Sequence, residues 1–165
     1  MNSDTLIWPA VFLGMYLFLE SLDWGLSLAA PFVARNQEEN KAVLSLLKPG
    51  IDLNEVWLIF GLSLVASAVP AAAGGAMHDS VMAMLSVAVV GGALRILAAF
   101  FKNVFGSALI LKGMSLYSVL ALFVIGLSGG AMVTGGNLMS GVGIVLSLWL
   151  ILACFQLAAL YGAVK

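Results

Sequence analysis

Leu19-Glu20-Ser21-Leu22-Asp23-Trp24-Gly25 and Asp52-Leu53-Asn54-Glu55-Val56-Trp57-Leu58 are the two stretches on which the reading of this chain turns. They hold four of its eight acidic residues. The first lies deep inside a long apolar segment, and the second opens the next one. A carboxylate at the centre of a membrane helix costs roughly 2.5–3.5 kcal/mol even on the more cautious scales. Two of them three residues apart must be paired, protonated or wetted.

Around these runs the chain is apolar: 62 % of its 165 residues are hydrophobic and 9 % are charged. A soluble domain of about 150 residues hides only about 70 % of the surface its unfolded chain exposes, which is too little for this composition. The chain therefore reads as an all-α integral membrane protein. Five apolar segments, 5–34, 53–74, 81–101, 114–134 and 141–164, are each long enough to cross about 30 Å of hydrocarbon. Their continuous apolarity lacks the alternation of a barrel strand, so they predict one transmembrane domain over 1–165, a bundle of about five helices. The net charge of −1 is spread over loops, and no basic run points to nucleic acid.

The basic residues set an orientation. Arg35, Lys41 and Lys48 fall between the first and second segments, Lys102 and Lys112 between the third and fourth, and Lys165 after the fifth. The other connections carry neither Lys nor Arg. The positive-inside rule then puts the N-terminus outside and the C-terminus in the cytoplasm, in the cytoplasmic membrane. The loop 36–50 holds Ala42, Val43, Leu46 and Leu47 at helical spacing among charges, which predicts a short amphipathic helix on the cytoplasmic surface. The N-terminus lacks the positive start of a signal peptide, and the first segment is too long for one. Cys154, the single cysteine, reads as a small buried apolar residue.

Tyr16, Glu20, Asp23 and Ser27 fall on one stripe of the first helix, beside a small-residue face of Gly14, Ser21 and Gly25. Glu20 and Asp23 admit two readings, a satisfied structural pair or a proton-exchanging site. The second is favoured, because an acid inside a membrane is functional by default. Asp52 and Glu55 fit a capping box after Pro49-Gly50, and an acid at the cytoplasmic mouth is also where a proton would enter. For Asn54 and Glu55, structural pairing is favoured. Arg95, about two turns from the cytoplasmic end of its segment, is expected to snorkel to the headgroups in preference to pairing with Glu55.

The remaining polar signals have ordinary readings. His78 is expected to be solvated in a short outer turn, and no Cys/His constellation offers a metal site. A haem held by paired imidazoles is excluded by the lone histidine. Pro70 is expected to end the second helix, with 71–76 as a loosened exit. Gly126 and Gly130 give a GxxxG spacing for tight helix packing, and Gln156 is expected to hydrogen-bond between helices.

These residues resemble a known family. Leu19 to Gly25 is similar to the L-D-G-F-D-L-G run of subunit II of cytochrome bd quinol oxidases. The stretch from Pro49 to Ile59 is similar to that subunit's P-x-W-D-G-N-E-V-W-L-I. Pro31-Phe32-Val33-Ala34-Arg35, Pro70, the run from Leu94-Arg95 to Lys102, the glycines Gly126, Gly130 and Gly135, and Gln156 extend the resemblance over nearly the whole chain. There are departures. Glu20 stands for an Asp, Ser21 and Leu53 for glycines, and Phe100 for a Glu. The chain also stops after the fifth helix, where the family continues into a second, similar bundle.

The resemblance implies a subunit that binds no haem of its own, packed against a larger subunit that carries haems b and d and oxidises quinol. It further implies lipid and quinone as surroundings, and a further small membrane subunit or second-half subunit as an open option. In the family the acids matching Asp23 and Asp52 belong to a cytoplasmic proton path, to which Glu20 is a natural addition, with Asn54, Glu55, Ser27 and Arg95 as supporting polar groups. Two other readings stand beside it: a structural or assembly subunit with no proton role, and a small proton-coupled carrier.

Overall fold

A computed structural model describes residues 4–47, 54–68, 76–135 and 137–164. These residues form six helices: α1 (Asp4–Val33), α2 (Gln37–Leu46), α3 (Asn54–Ala68), α4 (Ala76–Phe105), α5 (Ser107–Thr134) and α6 (Gly141–Val164). Four contain stretches long and apolar enough to cross a membrane: Val11–Val33, His78–Ala98, Ser107–Ala131 and Gly141–Tyr161. The 15 described residues of α3 are apolar but shorter than a full crossing. Pro70 and the expected exit at 71–75 lie outside the described residues, and Ala76 already belongs to α4.

The bundle is organised on α1 and α5. α1 packs on α3, α5 and α6, whereas α4 packs chiefly on α5. The partners reveal direction. Tyr16 clusters with Leu58, and Leu13 lies against Gly61, so α3 runs antiparallel to α1. Continuing that register brings Asn54 to about the level of Glu20, well inside the bundle. Trp24 and Leu28 meet Ala121, Leu122 and Ile125, and Ala30 meets Ile110 and Leu111, so α5 is also antiparallel to α1. Arg35 and Lys41, together with Lys102 and Lys112 on the facing ends of α4 and α5, therefore gather at one end of the bundle.

The turn between α4 and α5 is tighter than the charges suggested. Lys102 and Lys112 are helical residues, not loop, and the two helices are separated by Gly106 alone. Its φ of 75° and ψ of 151° lie in a region open essentially only to glycine. Lysines at helix ends can extend to the interface, so their charge did not require a loop there. His78 likewise sits in the first turn of α4, not in a turn, with Nδ1 3.4 Å from the Asp79 carboxylate.

The amphipathic segment is α2, shorter than the 36–50 expected. Asn36 caps it by accepting the Glu39 backbone N–H at 2.8 Å, and Glu39 in turn accepts from the Arg35 N–H at 2.6 Å. Its buried side is Leu44 and Leu47, packed with Ala30 of α1, Ala98 of α4 and Ile110 of α5, with Val43 alongside. Ala42 and Leu46 are exposed. The helix is docked on other helices, which removes its apolar edge from water more completely than headgroups would.

The α5–α6 interface depends on missing side chains. A Cβ at Gly126 would strike the Ser147 backbone, and one at Gly130 would strike Gly143. The GxxxG pair thus serves packing within the chain, the van der Waals closeness that drives helix association in lipid. Ser147 Oγ adds a hydrogen bond to the Phe123 carbonyl at 2.9 Å. Gly25 plays the same part between α1 and α6, where a Cβ would meet the Cys154 carbonyl, whereas Gly14 faces open space. Cys154 is free and buried, as a small packing residue. Outward faces are apolar throughout the bundle, with Phe18, Phe100, Val133 and Trp149 each more than half exposed.

Candidate functional site

The stripe on α1 reaches its partner on α4. Glu20 and Asp23 are three residues apart and share a helix face. Arg95 hydrogen-bonds Glu20 Oε1 through a guanidinium nitrogen, and the same nitrogen lies 3.2 Å from Asp23 Oδ2. Arg95 is 6 % exposed and Glu20 3 %. The Asp23 side chain, 18 % exposed, is the most accessible of the three. The expectation that Arg95 snorkels is overturned. A guanidinium this deep is far costlier unpaired than paired, and two carboxylates lie within reach.

Arg95 and Asp23 are each ten residues from the end of their helices, about 15 Å at 1.5 Å per residue. Measured from those helix ends, that depth is about half of a hydrocarbon core about 30 Å thick. The guanidinium is always protonated, so within these three groups two ionised carboxylates outweigh it by one negative charge.

The surroundings are sparse in polar groups. Tyr16 and Trp24 are buried on α1, ring edge to face, with centroids 6.4 Å apart. Ser27, 2 % exposed, continues the stripe toward the C-terminal end of α1. Tyr117 of α5 donates to the Val87 carbonyl at 2.6 Å, and its ring fills the space a side chain on Gly91 would need. The Trp24 indole N–H is buried with no partner among the described residues. Trp24 lay in the quoted run but offered no signal of this kind, because which atom a tryptophan leaves unpaired depends on its neighbours in space.

The second acidic run is only partly in view. Asn54 is half-buried at the start of α3. Glu55 belongs to the first turn of α3, but its side chain lies outside the described residues, as do Asp52 and the expected capping box. Gln156 faces outward from α6 and is exposed, and among the described residues it makes none of the interhelical hydrogen bonds expected of it. Among the described residues no group of three His, Cys, Asp or Glu side chains could hold a metal ion.

Alongside the cluster, α4 and α5 enclose a cavity of about 430 Å³. Gly91, Arg95 and Tyr117 line its deep end with Trp24 alongside, and Phe101, Phe105 and Leu109 its other end.

Residues 5–165 match the model of a family described as cytochrome bd terminal oxidase subunit II. A relative from Bacillus subtilis (strain 168), a cytochrome bd ubiquinol oxidase subunit 2, is 35 % identical over 60 residues. That stretch is 36 % of this chain and 18 % of the relative. No solved structure matches. With the family model spanning almost its whole length and four helices fit to cross a bilayer, the chain belongs to the cytochrome bd terminal oxidase subunit II family and is a multi-pass protein of the cytoplasmic membrane.

Proposed function

We propose that this chain is the haem-free partner of a haem-bearing subunit in a quinol:oxygen oxidoreductase, and that Glu20 and Asp23 hold a proton on its way from the cytoplasm to the site of oxygen reduction. The observation that carries the reading is the Arg95–Glu20–Asp23 cluster. A buried group of two acids and one permanent cation has room for one exchangeable proton without leaving a net charge in the hydrocarbon. A purely structural pair would need only one acid.

Direction follows from the gathered basic end. If Arg35, Lys41, Lys102 and Lys112 face the cytoplasm by the positive-inside rule, the N-terminus lies outside and the C-terminus inside. Asp23 is then the member of the pair nearer the cytoplasm, and it is also the more exposed. Ser27 stands one turn closer still. Asp52 precedes α3 in the sequence, and α3 begins at about the level of Glu20, so the segment entering α3 is the natural supply route. Asn54 and Glu55 would support it.

The partner subunit would carry haems b and d and receive quinol; this chain contributes no ligand to them. The exposed Gln156 on an otherwise apolar face supports a neighbour there, since an amide turned toward lipid tails would be left without a partner. A second reading, that the cluster is structural glue, is favoured by the contact of both acids with the Arg95 guanidinium. Asp23→Asn and Asp52→Asn variants separate the two. The proton reading predicts slowed oxygen consumption with a changed pH dependence in an assembled, haem-replete complex. Unchanged turnover in both variants, or loss of assembly alone, supports the structural reading.

A further inference from the structure

The cavity between α4 and α5 has the size, shape and position of a binding site. Its volume of about 430 Å³ is nearly three times that of an apolar cavity of ~150 Å³ known to stay dry and to take one benzene ring. In proportion, it would hold a chain of about eighteen carbons. Its lining extends along α4 from Gly91 to Phe105, about 21 Å at 1.5 Å per residue, the length of an extended acyl chain of that size. Its wall is almost wholly apolar; Arg95 is engaged with the two carboxylates and Ser118 with the Met114 carbonyl at 2.9 Å, and the Trp24 indole N–H is left without a partner among the described residues.

The entrance is open on the surface of the chain. Leu97, Phe101, Phe105 and Leu109 all line the cavity and are between 43 % and 58 % exposed. The shallow end lies at the Gly106 turn, with Lys102 four residues before it and Lys112 six residues after. The exposed Lys112 is a cation that attracts an anionic headgroup to this end. We infer that the cavity holds one acyl chain of an anionic phospholipid from the leaflet in which α4 ends, the phosphate at the Gly106 turn and the chain end against Trp24 and Arg95. The chain excludes water and loose lipid from the flank of the ion cluster.

The site can be read in native membranes with an anionic phospholipid carrying a photoactivatable acyl chain, label positions being found by peptide mass spectrometry. The expected result is label on Leu97, Phe101 and Leu109 that saturates at a low mole fraction of probe. Label on Ile59 and Phe60, which face outward from α3, should rise in proportion to the probe. Gly113 lines the cavity and has open space where a side chain would go. Gly113→Phe is therefore expected to cut the cavity label at least fivefold with the α3 label unchanged. Gly92→Phe, also into open space but outside the cavity lining, should change neither. Cavity label that rises in proportion like that on α3 would overturn the inference. So would saturation only with a zwitterionic probe, or only with a polyisoprenoid one.

Discussion

Arg95 on α4 and Glu20 on α1, 75 residues apart in the chain, are joined by a buried hydrogen-bonded ion pair near the middle of the bundle. α4 packs chiefly on α5, so this pair and its Asp23 branch are the main polar link from α4 to the central helix.

Removing the cation alone should be severe. Arg95→Gln leaves two buried carboxyls uncompensated, and breaking a buried pair from one side costs about 3–5 kcal/mol. The expected outcome is a large fall in the thermal stability of the detergent-solubilised complex and in its yield. Adding Glu20→Gln to Arg95→Gln should recover more than half of the loss. A double variant no better than the single one would show that the pair is not the source of the effect.

The α5–α6 contact gives a prediction with its own control. Gly126→Ala and Gly130→Ala each push a methyl group into the α6 backbone, and overpacking of this kind costs about 1–3 kcal/mol. Gly129→Ala, whose nearest new neighbour is Leu146 at 3.9 Å, should be close to neutral. Thermal unfolding followed by circular dichroism ranks the three.

Gly106→Ala tests the α4–α5 turn. Any side chain there is held in a backbone region that L-residues avoid, at a cost of about 1–3 kcal/mol. Thermal unfolding should show a lowered midpoint with the helix content of the folded state preserved.

Gln156→Leu tests the outward amide. If a neighbouring subunit covers this face, losing the amide weakens association and lowers the haem that co-purifies with this chain. If the face meets lipid, the substitution is neutral or stabilising, and co-purified haem is unchanged.

The division between what the residues foretold and what they hid is physical. Membrane class, four of the five apolar spans, the amphipathic α2 and the Gly126–Gly130 contact are local patterns, set by composition and by spacing along one helix. The partner of Arg95 is not local. Its expected escape to the headgroups assumed that nothing closer could take the charge, and the two acids at its level belong to a helix far away in sequence. Lys102 and Lys112 were taken for loop residues because charge interrupts an apolar pattern; long side chains near a helix end can carry charge to the interface without breaking the helix. The outward turn of Gln156 reflects the rotation of α6, which follows from the close approach at Gly126 and Gly130.

The central claim is that the Glu20–Asp23 pair carries one exchangeable proton. Redox-induced infrared difference spectroscopy of the assembled oxidase tests it directly, because a protonated carboxyl has a C=O stretch well separated from the carboxylate bands. One carboxyl band that shifts in D₂O and disappears in both Glu20→Gln and Asp23→Asn, with haem content unchanged, is the predicted result. A spectrum with no such band, or one that both variants leave intact, would contradict the account.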